Sequence, residues 1–572
     1  MIVAAARFLR AHWSALTIGA LCFASALLKL PHLGHQHLGY DEACHAIVAR
    51  NLLKHPLTPT LYDTPHLSYT HKSWTSNHIW LHKPILPLWK IAASYAVFGV
   101  NTFVLRFPSL ILASLSVFLT YLIGRELFGR SVAFAAASIQ AFLPTIAELT
   151  HGYLFSDAID ISLLFWTEFA VYFLIRAMKS GRWRDVLLAG FGQGCAYLSK
   201  SYLALIVTGI ALAILLAPAF RLGRREDSGF RLRHLLGLIG ASLVVALPWT
   251  VSTAIRFPQE FHHEHGYVFR HLVSNIEHWG APWDRLLFDY FPFLLHAFFA
   301  SAMVAVIALL KPLLTEKRIS LCIAYAWGFG VLAPNLLAAT KTPSAVLIAV
   351  PAFLLILGEF ISRAVSKGGR SWELCVLTGS ALVVLVLPQA PIGWGRGAHE
   401  SDAFGAILLE RPWPVISIAI AFAVAWAAYW IGSRLVQHAR SDAFRWLCFG
   451  FVIAAGLTLV WRSVWVSSLI AGGGGTPTPY AKIADSARNN LPSNAVLFVE
   501  ITEEMSPVEN LKVMFFADRP AYRFRSINSP NEFEEVLEKG GMPYLLSTEP
   551  SDWEVVFRDV DNKAAVYDWP RP

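Results

Sequence analysis

Apolar runs of about 20 residues recur along most of this chain, and a helix needs a run of that length to cross a bilayer. They begin near residues 11, 106, 131, 158, 185, 202, 235, 286, 319, 344, 372, 413 and 446. A chain with this pattern folds as a polytopic bundle of membrane-spanning α-helices, about thirteen by this count. The composition agrees. Only 15% of the 572 residues are charged, against about 25% in soluble domains. The 20 Trp and 38 Phe suit the aromatic belts of a membrane interface. The net charge of +8 does not mark a nucleic-acid binder, because the basic residues gather in alternate loops.

Those loops set the orientation. "GRELFGR" (124–130), "RAMKSGRWRD" (176–185) and "FRLGRREDSGFRLRH" (220–234) are basic, and "KPLLTEKR", "SRAVSKGGR" and "SRLVQHAR" continue the series. Short basic loops are cytoplasmic. The loops 31–105, 150–157, 256–285, 338–343 and 393–412, with the C-terminal tail, therefore face the other side. Arg7 and Arg10 precede the first run without a small-residue cleavage site after it, which reads as an uncleaved signal anchor. Counting "KPILPLWKIAASYAVFGV" (83–100) as a span would turn every later basic loop outward. It is expected instead as a helix along the outer interface, packed on the bundle. "DEACHAIVARNLLKH" is expected to be similar, with Ala43, Ala46, Ile47, Ala49 and Leu53 roughly on one face.

After about residue 470 the chain changes character. "AGGGGTPTP" is a linker. Beyond it, "YAKIADSARNNL" and "PNEFEEVLEKG" read as helices. "NAVLFVEI", "LKVMFFADRPAYRF" and "MPYLLST" read as strands, and "WEVVFRDVDNKAAVYDW" as a hairpin. The expected organisation is a transmembrane domain over 1–470 and a small extracytoplasmic α/β domain over 476–572, with a structural or acceptor-docking role. Most of the six cysteines fall in apolar runs and read as buried hydrophobes; Cys44 lies in a polar loop.

The candidate functional residues are ionisable groups at the outer ends of spans: Asp41, Glu42, Lys83, Asp157, Lys200 and Lys341. The loop 256–285 adds His262, His263, Glu264, His265, Tyr267, Arg270, His271, Asn275 and His278. Singly, each has an ordinary reading. A lysine at a span end snorkels, Asp157 caps a helix, and Glu42 is the solvated face of its own. Together they describe a pocket for a phosphorylated lipid headgroup. A carboxylate there can take a proton from a hydroxyl, and the cations neutralise charge on a departing phosphate. "HHEH" (262–265) is a candidate cation site.

The order "YDEA", "VAR", then "HKPILPLWKIAASYAVFGVNTFVLRFPSLILASLSVFLTYLIGRELFGR" resembles the start of bacterial GT-C glycosyltransferases of the protein-mannosyltransferase and aminoarabinose-transferase superfamily. "GCAYLSKSYLAL", "ALPWTVSTAIRFPQEFHHEHGYVFRH" and "TKTPSAVLIAVPAFLLILGEF" resemble later segments, so the likeness runs over roughly residues 10–365. Where the family commonly has Glu-Lys-Pro-Pro, this chain has His82-Lys83-Pro84-Ile85, and Ser201 replaces a family glycine. The resemblance implies a GT-C fold in the bacterial plasma membrane with its active site extracytoplasmic. It implies transfer of a sugar, with inversion, from a polyprenyl-phosphate donor to an acceptor that is lipid, glycan or protein. It places Asp41 as the base, Glu42 as its support and Asp157 as a second acid. Lys83 then contacts the donor phosphate, with Lys200, Arg270 and Lys341 as further candidates. A divalent cation at His82 and His265 is a further expectation; no organic cofactor or nucleic acid is expected. A lipid or sugar transporter is the alternative, and it would place charges near mid-membrane on broken helices.

Overall fold

The computed structural model describes residues 2–36, 38–152, 157–219, 229–276, 298–365, 479–502, 505–524, 530–549, 551–558 and 564–568, with residues 286, 294, 295 and 457. The spans expected from 372, 413 and 446 lie outside these residues, as does most of the run from 286.

The helices are α1 (Ile2–Lys29), α2 (Tyr40–Asn51), α3 (Ile85–Phe98), α4 (Thr102–Leu127), α5 (Arg130–Ala141), α6 (Pro144–Thr150), α7 (Asp157–Ser180), α8 (Trp183–Lys200) and α9 (Ile206–Leu216). They continue with α10 (Leu232–Arg256), α11 (Pro258–Val273), α12 (Phe299–Thr315), α13 (Ile319–Leu337) and α14 (Val350–Val365). Among the described residues, six helical stretches are long and apolar enough to cross a membrane, or seven if the bent pair α5 and α6 forms one span. This is the polytopic bundle that the apolar runs require.

Residues 183–216 form an almost unbroken helical stretch, yet they do not continue straight. α8 and α10 run side by side in one direction. Trp183 lies against Gly237, Gly190 against Leu238 and Gly194 against Val245. Residue 229 returns beside the start of α8, where Gly229 N–H donates to the Met178 carbonyl. The few residues after α9 cannot return along the full length of α8 and α9 laid end to end. α9 therefore folds back, and the break falls at Ser201, whose φ is 50°. The contact of α8 with α10 needs its glycines: a Cβ on Gly190 would sit 2.4 Å from the Leu238 carbonyl oxygen. Small residues at such contacts are how membrane helices approach closely.

α3 has 14 residues and packs on α2, α4, α7 and α8, as expected of a short helix held against the bundle. α2 differs from its expected amphipathic form. Residues 41–49 are all buried, while Leu53, expected on the apolar face, is beyond the helix and 40% exposed. The reason is that α2 is covered on two sides, by α3 and by the C-terminal domain.

That domain contains α15 (Pro479–Asn490), β1 (Ala495–Glu500), α16 (Glu509–Ala517), β2 (Ala521–Phe524), α17 (Pro530–Glu538), β3 (Met542–Ser547), β4 (Val555–Arg558) and β5 (Ala565–Asp568). The sheet order is β2-β1-β3-β5-β4. β1 is parallel to β2 and β3, and β5 is antiparallel to β3 and β4. "LKVMFFADRPAYRF", expected as strand, is therefore helix over 511–517 and strand only over Ala521–Phe524. Parallel neighbours need a crossover, and α16 supplies it. Its residues are nearly all buried, so its sequence carries no period to reveal a helix. One apolar cluster runs from α2 and α3 through this sheet.

Candidate active site

α2 begins at the Asp-Glu dyad. The Gly39 N–H donates to Glu42 Oε2 at 3.0 Å, so the third helical residue caps its own helix. The same carboxylate is gripped by Arg106 in the first turns of α4. Arg106 Nε meets Oε1 at 2.6 Å and Nη2 meets Oε2 at 2.8 Å. Arg106 Nη1 also donates to the carbonyls of Leu33 and His35, at 2.8 and 2.9 Å. Both side chains are essentially sealed, with 0% and 1% exposure. Gly152 makes room: its φ is 66°, and a Cβ there would lie 2.1 Å from Glu42 Oε1.

Asp41, one residue earlier, faces elsewhere. Its Oδ2 lies 3.2 Å from Lys83 Nζ, and both side chains keep some exposure, 12% and 20%. Lys83 stands just before α3, with Pro84 as the N-cap in extended conformation. The dyad thus holds one carboxylate locked inside the protein and one, slightly exposed, beside a cation.

The other expected residues divide. Asp157 heads α7, but its side chain lies outside the described residues. Lys200 ends α8 and is 2.5 Å from Asp160 Oδ1 on α7 and 2.8 Å from Ser344 Oγ. Lys341 is buried and donates to the carbonyl of Ala338 in its own loop, and burial lowers its pKa. Arg270 is exposed and lies over the Tyr267 ring, 5.5 Å from its centroid.

The expected cation ligands are not brought together. His82 Nδ1 donates to Glu264 Oε2 at 3.0 Å, and both side chains are nearly buried. The His82 ring stacks on Trp74 at 4.7 Å and meets the edges of Trp80 and Tyr267. His265 Nδ1 instead donates to the Phe261 carbonyl, and its ring stacks on Phe261 at 3.8 Å. Glu264 and His265 are successive on α11, so they point about 100° apart; only one can face His82. Among the described residues no group of three or more His, Cys, Asp or Glu side chains is placed to hold a metal ion. His82 and His265 therefore do not fit the expected divalent cation. The His82–Glu264 contact joins the segment before α3 to α11, and α11 is joined in turn to the loop after α13 by Ala339 N–H on Leu272 and Thr340 N–H on His271.

Sequence reasoning passed over Arg106, Asp160 and Lys90; it named Glu264 among the candidates of the loop 256–285 but not as the partner of His82. The signal for Arg106, Asp160 and Lys90 was an ionisable residue inside an apolar run, which marks a functional site by default. Glu264 carried no comparable signal, because its loop is polar throughout.

Residues 82–250 match the family model for dolichyl-phosphate-mannose-protein mannosyltransferase. An undecaprenyl phosphate-alpha-4-amino-4-deoxy-L-arabinose arabinosyl transferase of Pseudomonas aeruginosa is 31% identical over 225 residues, which is 37% of this chain and 38% of the relative. The chain thus spans about two fifths of that relative's length. A similarly described transferase of Pseudomonas fluorescens is 25% identical over 386 residues, covering 64% of this chain and 67% of the relative. Among solved structures, ArnT from Cupriavidus metallidurans bound to undecaprenyl phosphate superposes with a TM-score of 0.59 at 15% identity, over 97% of both chains. The archaeal oligosaccharyltransferase AglB from Archaeoglobus fulgidus, in complex with an inhibitory peptide and a dolichol-phosphate, gives 0.54 at 14% identity, over 94% of this chain and 70% of that one. The chain has the GT-C fold that these two solved structures share.

Proposed function

We propose that this chain is an integral-membrane glycosyltransferase that moves a sugar from a polyprenyl-phosphate donor to an acceptor on the extracytoplasmic face of the bacterial plasma membrane. The observation that carries the reading is the Asp41–Lys83 pair, 3.2 Å apart at the start of a fully packed helix. It sets a proton acceptor beside a cation, as displacement of a phosphate leaving group needs. Asp41 takes the proton of an acceptor hydroxyl or amine. The acceptor atom forms a bond to the anomeric carbon as the bond to the phosphate oxygen breaks. The electron pair leaves with polyprenyl phosphate, whose charge Lys83 meets, and the configuration inverts. Lys200, Arg270 and Lys341 are further candidates for the donor headgroup, and Asp157 is the candidate second acid.

The relatives named for aminoarabinose transfer make a polyprenyl-phosphate amino-pentose the first donor to test. The transporter alternative draws no support from them. The test is lipid mass spectrometry on a strain lacking the protein, complemented with the natural chain or with Asp41→Asn at equal level. A polyprenyl-phosphate sugar should accumulate in the deletion and the mutant and clear with the natural chain, and its mass identifies the sugar. Turnover by Asp41→Asn within 10-fold of the natural chain would remove Asp41 as the base, since general-base catalysis contributes about 10²–10⁴-fold.

A further inference from the structure

Glu168 lies midway along α7, Thr120 on α4 and Gln140 at the end of α5, and the three side chains meet. Thr120 Oγ1 is 2.5 Å from Gln140 Oε1 and 2.8 Å from Glu168 Oε1. Gln140 Nε2 is 2.9 Å from Glu168 Oε1. Water does not reach them: Thr120 and Glu168 are 0% exposed and Gln140 1%. The residues one helical turn away are Ile123 on α4, Ala136 on α5, and Leu164 and Val171 on α7, and all belong to the apolar core of the bundle. Thr120 stands about 21 Å along α4 from Arg106, so this cluster is separate from the Asp41–Lys83 pair.

Each of the three contacts needs one hydrogen. Thr120 has one to give, and the Gln140 amide turns one N–H into the cluster. Two hydrogens do not serve three contacts, so the third comes from Glu168. As a carboxylic acid, Glu168 donates to Thr120, Thr120 donates to Gln140 Oε1, and Gln140 Nε2 donates back to Glu168. Turning the amide over reverses the direction of this ring and leaves the count the same. With Glu168 ionised, one pair of oxygen atoms, or of oxygen-bearing groups, would face each other in this ring with no hydrogen between them. Ser116 also lies beside the carboxyl group, but it stands outside the ring and brings no hydrogen to it. Glu42 shows the other way to seal a carboxylate: Arg106 brings it two N–H groups and a positive charge. Among the described residues Glu168 has no ion pair, and an ionised carboxylate without one is costly in an apolar bundle.

We infer that Glu168 is a neutral carboxylic acid, and that its proton closes a ring with Thr120 and Gln140 that locks α4, α5 and α7 together and fixes the bend between α5 and α6. Gln140 is the last residue but one of α5, and its carbonyl accepts the Leu143 N–H at 3.3 Å, across the break. α5 and α6 are bent there by 49°. α6 then leads to Gly152, which makes room for the Glu42 carboxylate. The ring therefore holds the base of the segment against which the head of α2 rests. It stands independently of the transferase reading.

The test is infrared difference spectroscopy on the purified full-length protein in detergent micelles at neutral pH. The proteins are the natural chain, Glu168→Gln, Glu168→Leu and Thr120→Val. The natural chain minus Glu168→Gln should show the carbonyl stretch of one protonated carboxylic acid. The paired stretches of an ionised carboxylate in that difference would overturn the inference. Thr120→Val removes a ring member bonded to the acid, so it should shift the same band, and a band left unmoved would overturn the ring. If Glu168→Gln fails to fold, the natural chain minus Thr120→Val carries the test: a shifted carboxylic-acid band supports the neutral acid, and a carboxylate feature overturns it. The lock is read separately, by unfolding in SDS. The Glu168→Gln amide donates and accepts in the same ring, so this variant should unfold at the same SDS fraction as the natural chain, and Glu168→Leu at a lower one. Equal midpoints for Glu168→Leu and the natural chain would overturn the ring as a lock.

Discussion

Replacing Arg106 by Met should destabilise the protein by about 3–5 kcal/mol, the usual consequence of removing one partner from a buried ion pair. The geometry accounts for the size. The guanidinium makes two charge-assisted bonds to Glu42 and two more to the carbonyls of Leu33 and His35, all between 2.6 and 2.9 Å. Without it, a carboxylate of 1% exposure loses its counter-charge, and two carbonyls lose a donor. Arg106→Lys keeps the charge but not the fork, and it should lose about 1–3 kcal/mol. The double variant Arg106→Met with Glu42→Leu removes both charges, so it should be less destabilised than Arg106→Met alone, and the coupling in the cycle should reach about 2 kcal/mol. The assay is unfolding by SDS in mixed micelles, followed by far-ultraviolet circular dichroism. An Arg106→Met protein that unfolds with the natural chain, or a double variant worse than the sum of the singles, would refute the assignment of Glu42 as a sealed structural carboxylate.

Other outcomes follow from neighbouring contacts. Gly152→Ala combines a positive φ with a Cβ inside the Glu42 carboxylate, and it should lower the SDS midpoint by an amount equivalent to about 2 kcal/mol or more. Arg50 closes α2 against the sheet domain through Asp518 at 2.8 Å and the carbonyls of Met514 and Phe515, so Arg50→Ala should expose α16 to limited proteolysis, while Asp518→Asn, which leaves the carbonyl bonds, should do so less. Tyr522 stacks on Tyr62 at 4.7 Å and its hydroxyl accepts the His66 N–H at 2.8 Å; Tyr522→Ala should loosen the same interface by about 3 kcal/mol or more, read in the same way. Burial holds the His265 pKa below its usual 6.5, so on acidification the unfolded chain takes up this proton first. The stability tied to the neutral ring is complete above that value and falls below it, and His265→Phe should flatten the decline of the melting temperature between pH 7.5 and about 5.5.

The bundle was legible because hydrocarbon leaves the backbone few options, and twenty-residue apolar runs need no partner to be recognised. Asp41, Lys83 and Lys200 stood out in the sequence as ionisable groups at the ends of apolar runs. The partners were not. Glu42 reads as a solvated helix face until Arg106, 64 residues on, is folded against it. His82 and His265 read as a ligand pair until α11 turns Glu264 to His82 and His265 away. The same limit applies to α2 and α16. Both are buried on several sides, so neither shows a hydrophobic period, and what buries α2 is a domain more than 400 residues later in the chain. Sequence pattern reports which face a helix turns from water; it is silent when a second element covers the other face.

Two adjacent carboxylates at the head of a helix point about 100° apart, and that angle decides their roles. If both lay on the side of Asp41, each would raise the proton affinity of the other, and one would be held as a neutral acid. Here Glu42 is turned inward and neutralised by Arg106, so its charge is matched and does not oppose ionisation of Asp41. Its cap on Gly39 and its grip on α4 fix where α2 begins, and Asp41 is the second residue of that helix. The far end of α2 is fixed independently, by Arg50 on Asp518 and by Asn51 Nδ2 on the carbonyls of Thr60 and Leu61, at 3.0 and 3.1 Å. A helix of 12 residues held at both ends by side chains from three parts of the chain has little freedom to tilt. The position of the Asp41 carboxylate against Lys83 is therefore set by the membrane bundle and the C-terminal sheet together. The C-terminal domain then bears on the Asp41–Lys83 pair by holding α2.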